Sequence, residues 1–214
     1  LHRDLKRTIK SNEKYGMRII AGKYKSRAVK APSNMKIRPT SDKVKGALFN
    51  MLEPVMDCTV VDFYSGTGNL AIEALSRGAI EVVLVDKSPE GLKLISENLQ
   101  TFGVNPRDLK SGVRVIPHDV SKAFFLLHQE GKKFDILLAD PPYEKGVLKR
   151  LQHLLVEYPI LKEGGIFAVE HGSDDTDLMP DFPYPMVRQK KYGDTYLTLF
   201  HFAAQKPEGQ NHGE

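Results

Sequence analysis

The run Phe134-Asp135-Ile136-Leu137-Leu138-Ala139 constrains the fold more than any other stretch of the chain. Its apolar body reads as a strand buried on both faces, the pattern of a parallel sheet covered by helices on either side. It stops on Asp140-Pro141-Pro142-Tyr143. Proline cannot donate to a ladder, and each ring fixes its own φ and restricts the residue before it. The strand therefore ends in a stiff turn that presents a carboxylate, backbone carbonyls and a flat ring. A planar nucleobase with an exocyclic amine suits that set, since the oxygens accept its N–H groups while the ring stacks on its face. An isolated Asp-Pro-Pro-Tyr also serves as a plain strand terminator, so the residues upstream decide between the two.

From Cys58 onward, short apolar runs alternate with helical patterns at the spacing of βαβ units. Strands are expected over 59–64, 81–85, 113–116, 134–139 and 165–170. Helices are expected over 69–77, stopped by Gly78, and from Ser88-Pro89 to Gly103, with Leu92, Ile95, Leu99 and Phe102 inward. Two more are expected over 120–128, with Phe124 and Leu127 inward, and along Val147, Leu151, Leu154, Leu155 and Tyr158. Residues 186–192 and 195–202 flank Gly193-Asp194 and read as a hairpin. A parallel sheet closed by an antiparallel C-terminal hairpin follows.

The charge is unevenly spread. Residues 1–50 hold 14 Lys and Arg against 3 Asp and Glu, net +11, while the remainder holds 17 against 24, net −7. A basic first quarter on an acidic body points to a polyanionic partner for the first part. Residues 1–16 lack periodicity and are expected to be a leader or remnant. Residues 17–40 are expected to form an exposed basic hairpin, with Met17 to Gly22 entering a glycine turn. A helix capped by Thr40 or Ser41, with Val44, Ala47, Leu48, Met51 and Leu52 on one face, is expected to dock this piece onto a body at 41–202. Residues 203–214 read as a polar tail. No run is long and apolar enough to span a membrane and no apolar leader is visible, so a cytoplasmic monomer is expected. The single cysteine, Cys58, excludes an internal disulfide framework and reads as a small core residue. The scattered histidines give no metal-ligand spacing, so no metal site is expected.

Between the first strand and first helix lies Asp62-Phe63-Tyr64-Ser65-Gly66-Thr67-Gly68-Asn69-Leu70-Ala71. Its glycines allow a tight turn and close approach of backbone to a ligand, and Gly66 to Ala71 satisfies the dinucleotide fingerprint. Asp86, at the end of the second strand, suits the two ribose hydroxyls of an adenosine. A carboxylate at Asp62, four residues before the first glycine, suits an ammonium better than a pyrophosphate, and the turn holds no basic residue for phosphates. Adenosine at one end and a charged amino acid at the other describe S-adenosyl-L-methionine. The candidate cofactor residues are therefore Asp62, Tyr64, Ser65, Gly66, Thr67, Gly68, Asn69, Asp86 and Lys87, with Asp119 and Val120 near the adenine. Asp119 equally suits a plain helix cap. Adjacent first and fourth strands would bring this turn beside Asp140-Pro141-Pro142-Tyr143, the candidate catalytic set, at the switch point of the sheet.

At these residues the chain resembles the class I methyltransferases that act on exocyclic amines of bases and carry Asp-Pro-Pro-Tyr. More narrowly, from Met17 to Phe202, it resembles the bacterial small-subunit (16S) ribosomal RNA guanine-N2 methyltransferase family. The resemblance is carried by Arg18-Ile19-Ile20-Ala21-Gly22, Arg38-Pro39-Thr40-Ser41-Asp42-Lys43-Val44, Phe49-Asn50-Met51-Leu52, Asp62 to Gly68, Glu73 to Gly78, and Asp140 to Tyr143. Tyr64 and Ser65 stand where the family usually has Phe and Ala. The family implies a Rossmann-like class I methyltransferase fold with a seven-stranded, mostly parallel sheet and a small basic N-terminal hairpin. It also implies cofactor contacts at the glycine turn and Asp86, and 16S rRNA in an assembling small subunit as substrate. Arg18, Lys23, Lys25, Arg27, Lys30, Arg38 and Thr40 are the candidate RNA contacts. The Asp-Pro-Pro-Tyr signature also serves adenine-N6 and cytosine-N4 enzymes, so another base, RNA or DNA stays open. An NAD-dependent oxidoreductase and a non-catalytic RNA-binding protein are the remoter alternatives.

Overall fold

The computed structural model describes residues 17–31, 42–142, 144–175 and 177–202. Seven strands form one sheet: β1 (Thr59–Phe63), β2 (Glu81–Val85), β3 (Val113–Ile116), β4 (Phe134–Ala139), β5 (Leu161–Gly172), β6 (Met186–Tyr192) and β7 (Thr195–His201). Their order is β3-β2-β1-β4-β5-β7-β6. β1 to β5 are parallel, and β7 pairs antiparallel with both β5 and β6. The direction of strand addition reverses between β1 and β4, in the register Val60↔Ile136 through Phe63↔Ala139.

Period-two alternation along each strand divides the core into two layers. Val60, Val82, Leu84, Ile136 and Leu138 face α1 (Asp42–Leu52), α2 (Asn69–Ser76) and α3 (Pro89–Thr101). Val61, Val83, Val85, Leu137 and Ala139 face α4 (Val120–Gln129) and α5 (Val147–Glu157). Leu137 and Leu138 are both fully buried, as the continuous apolar run requires. Helix ends follow local chemistry. The Ser88 side chain accepts from Gly91 N at the start of α3, with Pro89 at the first helical position. Asp119 caps α4 by accepting from Lys122 N. β5 is longer than the expected 165–170, because Gly164 and Gly165 do not interrupt pairing: Gly164 N donates to Phe202 O and Phe202 N to Gly165 O. Among the described residues no helix is long and apolar enough to cross a membrane.

The N-terminal segment corrects the expectation of an exposed hairpin. Arg18 and Ala28 form a single antiparallel bridge around a 3-10 turn at Gly22–Tyr24, with Ile19 N donating to Arg27 O and Val29 N to Met17 O. One side of this arm is buried: Met17, Ile19 and Val29 join the α1–α3 core, while Arg18, Lys23, Lys25, Arg27 and Lys30 face outward. The alternation of basic with other residues is thus that of a docked ribbon. Nor is α1 its main mooring. Glu73 of α2, completely buried, accepts Ile20 N at 2.7 Å and Ala21 N at 3.1 Å, and pairs with Lys45 at 3.4 Å and Arg77 at 2.9 Å. Gly22, at φ +78°, lies so close to α2 that a Cβ would sit 1.7 Å from Ser76 O. Asn98 of α3 accepts Lys30 N at 2.8 Å and donates to Lys30 O at 3.1 Å. α1 adds Lys45 Nζ, which donates to Arg18 O and to Asn69 Oδ1, both at 2.6 Å. Burial holds the Lys45 pKa below its ordinary value, against the raising effect of the Glu73 charge.

Removing one partner from a buried ion network leaves the others uncompensated. Glu73→Ala should therefore cost about 3–5 kcal/mol of unfolding free energy, with Glu73→Gln costing less. Urea denaturation checks this, and a cost under about 1 kcal/mol would remove Glu73 from its place as the anchor of the arm.

Candidate active site

β1 ends at Phe63, and the chain then passes through three left-handed residues, Tyr64 (φ 59°), Gly66 (φ 56°) and Gly68 (φ 77°). Tyr64 in this conformation is a strained position for a side chain with a Cβ. The turn is tied down by Ser65 N donating to Val85 O at 2.9 Å and Gly68 N to Ser65 O at 2.7 Å. At Gly68 a Cβ would stand 3.1 Å from Leu84 Cδ2, so the turn presses on β2. Asp86 fixes it from the other side: Oδ2 accepts Gly66 N at 2.7 Å and Oδ1 accepts Ser88 N at 2.8 Å. Each Asp86 oxygen keeps a second lone pair for a further donor.

Asp62, the fourth residue of β1, is almost wholly buried at 1% exposure. Its Oδ2 accepts the Ser65 hydroxyl at 2.6 Å and Ala71 N at 3.2 Å, while its buried Oδ1 has no hydrogen-bond partner among the described residues. Burial pushes its pKa up to about 7, opposed by the Ser65 bond and reinforced by the Asp140 charge. A buried carboxylate oxygen without a donor is a site for a cation with N–H groups, and an α-ammonium fits it.

The strand ends enclose a cavity of about 550 Å³, within the range of small-molecule sites. Its walls include Asp62, Tyr64, Ser65, Gly66, Thr67 and Asn69 from the glycine turn and helix start. Asp86 and Lys87 line it after β2, Asp119 and Val120 after β3, and Asp140, Pro141 and Pro142 after β4. Gly68 shapes the turn from beneath without lining the cavity. Asp119 both lines the cavity and caps α4, so the two roles expected of it coexist. Tyr143, Arg38 and Thr40 lie outside the described residues. Arg18, Lys23, Lys25, Arg27 and Lys30 are not in the cavity. Arg18 pairs with Asp42 at 2.7 Å, Lys30 with Glu97 at 3.2 Å, and Arg27 stacks on the Phe102 ring.

Several lining residues carried no sequence signal. Met17 of the arm reaches the cavity wall, and Asn98 Nδ2 donates to Thr67 O at 2.8 Å while also holding Lys30. The arm is thus built into the glycine turn. His118 lines the site beside Asp119, and Arg150 enters from α5 with a bond from Nη2 to Ser121 Oγ at 2.7 Å. The glycine turn itself holds no basic residue, yet Lys87 and Arg150 place two in the wall. Asp175, after β5, accepts Gly146 N at 2.9 Å and Leu148 N at 3.1 Å with its two oxygens. It caps α5 from a distant segment and so pins the far end of the loop that begins at Asp140.

Two outcomes follow. The folded chain holds the Asp62 proton more tightly than the unfolded chain does. Its contribution to stability is therefore complete below about pH 4 and is lost as pH rises through 7, on the order of 4 kcal/mol in total. Asp62→Asn should flatten this slope, read by urea unfolding at pH 5 and pH 8; an equal loss in both proteins would place the proton elsewhere. Asp175→Ala should cost about 2 kcal/mol and speed amide exchange at Gly146 and Leu148, and unaltered exchange would show that the cap is idle.

The comparisons with known proteins agree with this fold. A family model described as conserved hypothetical protein 95 matches residues 17–201. The chain is 34% identical over 187 residues to the putative rRNA methyltransferase YlbH of Bacillus subtilis, covering 86% of this chain and 98% of that one. It is 32% identical over 193 residues to the ribosomal RNA small subunit methyltransferase D of Escherichia coli K12, covering 88% and 91%. Among solved structures, the putative methyltransferase yhhF from Escherichia coli matches with a TM-score of 0.74 at 28% identity, covering 89% of this chain and all of that one. With the core, the arm and the strand-end cavity all inside the residues that the family model matches, the chain belongs to the conserved hypothetical protein 95 family, that of the small-subunit rRNA methyltransferase D proteins.

Proposed function

We propose that this protein is an S-adenosyl-L-methionine-dependent methyltransferase that modifies the exocyclic N2 amine of a guanine in 16S ribosomal RNA. The observation that carries the reading is one cavity joining a buried, half-partnered carboxylate, Asp62, to the acceptor-bearing strand end at Asp140. The names of the relatives at 34% and 32% identity support ribosomal RNA as the substrate class. Guanine N2, and an assembling small subunit as its setting, come from the family resemblance.

When bound, the cofactor supplies a methyl group on a sulfonium, already activated for transfer, so the protein's part is alignment and charge complementarity. Asp62 would hold the cofactor's ammonium, which lowers the carboxyl's raised pKa on binding. Asp86 would accept the ribose hydroxyls with the lone pairs that Gly66 and Ser88 leave. The guanine amine is a weak nucleophile because its lone pair is conjugated into the ring. Asp140 and the Pro141 carbonyl would accept its two N–H groups, favouring pyramidal nitrogen. Asp140 need not take a proton before transfer, since the nitrogen becomes acidic only afterwards. Tyr143 would stack on the extruded base. Lys23, Lys25, Arg27 and Lys30 on the outer side of the arm, with Arg18, Arg38 and Thr40, would meet phosphates.

Asp140→Ala removes an acceptor whose interaction strengthens as the nitrogen gains charge, so turnover should fall by about 10²–10³ with cofactor affinity retained. Single-turnover transfer to small-subunit particles, with mass-spectrometric mapping of the methylated nucleotide, tests both halves of the reading. Near-normal turnover by Asp140→Ala would falsify the assignment of the site, and a product other than N2-methylguanine would correct the base.

A further inference from the structure

We propose that the open edge of the sheet, β6, and the groove between it and α1 form a second contact surface for the phosphate backbone of the RNA. This rests on the proposed RNA substrate. β6 reads Met186-Val187-Arg188-Gln189-Lys190-Lys191-Tyr192, three cations and no acid in a body that is otherwise net acidic. Among the described residues it is the last strand of the sheet, and residues 186–191 are all exposed. Arg188, Lys190 and Lys191 make no ion pair with any described residue; Lys190 lies over the Tyr192 ring and Lys191 over Tyr196. On the arm, by contrast, Arg18 and Lys30 already carry the carboxylates of Asp42 and Glu97. The cations of β6 are the less neutralised.

Beside the strand lies a groove of about 360 Å³, walled by Ala47, Asn50 and Met51 of α1 and by Arg188, Gln189, Lys190 and Tyr192. Among the described residues no carboxylate lines it. The Tyr192 hydroxyl is buried, so Tyr192 lines the groove without offering it a donor. Two cations and amide side chains make a wall of donors, and the complementary ligand is an anion rich in acceptor oxygens. A phosphodiester backbone provides that at every step.

The topology places this surface where RNA bound at the active site would reach it. β6 runs in the same direction as β4, being antiparallel to β7, which is antiparallel to β5. Its Tyr192 end therefore lies at the edge of the sheet where β4 delivers Asp140. Three strand spacings separate β4 from β6, roughly 15 Å, a distance that a few nucleotides of a single RNA strand bridge. α1 touches both basic surfaces, through Lys45 and Asp42 to the arm and through Asn50 to the groove. RNA engaging both would straddle α1. Lysines and a bulge, here between Met186 and Arg188, also guard an edge strand against pairing with another copy. That guard needs exposed charge only; it does not need a donor-lined groove beside the strand.

The test is RNA binding by the full chain across a salt series, using a short 16S rRNA fragment and fluorescence anisotropy. The triple variant Arg188→Gln, Lys190→Gln, Lys191→Gln should lower the slope of log K against log salt by about 2, at about 0.7 per single-strand phosphate. Asn50→Ala in the groove wall should weaken binding several-fold with the slope unchanged. Cofactor affinity by calorimetry should match the wild type in all variants. If the wild type binds RNA with a salt slope and the triple variant has the same slope, this surface is overturned alone. Self-association of the triple variant with an unchanged slope would show that β6 is only a guarded edge, and also overturns it. A wild type that binds no RNA at any salt overturns the surface together with the RNA reading beneath it.

Discussion

The pairing of β1 with β4 is the constraint on which the site depends. The two strands lie side by side in register, yet they are followed by helices on opposite faces of the sheet, so their carboxyl ends diverge and open a crevice between them. Asp62 sits at the end of one and Asp140 just past the end of the other. The proline pair after Ala139 stops β4 abruptly, and Asp175 holds the other end of the loop from beyond β5. The acceptor loop is thereby fixed at both ends by parts of the chain remote in sequence.

Two buried carboxylates show how differently the same burial can be used. Glu73 is fully enclosed and satisfied by two backbone N–H groups, Lys45 and Arg77. Asp62 is equally deep, but one oxygen lacks a donor and its pKa rises to about 7. The first arrangement binds elements together; the second stores a cost that a cationic ligand relieves. They are connected, because Lys45 bonded to Glu73 also holds Asn69 at the start of α2. Through Asn98 and Met17 the N-terminal arm likewise reaches the glycine turn, so a segment that reads as a separate basic piece is part of the cavity wall.

What the sequence determined by itself was the order and nature of the elements. β2, β3, β4 and β6 occupy the expected residues, and β1 and the helices differ at their ends by about a residue. Local forces set these: alternation of apolar residues, proline and glycine as stops, and serine or aspartate as caps. The glycine turn, Asp86 and Asp140-Pro141-Pro142 were legible for the same reason, since each motif is contiguous and sits at a strand end. The tertiary structure alone decided which face of the arm is buried, that Arg150, His118 and Met17 line the cavity, and that Asp175 caps α5. It also decided that β6 is the sheet edge, with Tyr192 against α1. These are contacts between residues far apart in the chain, chosen by which surfaces the sheet order brings together, and no local pattern of residues encodes that choice.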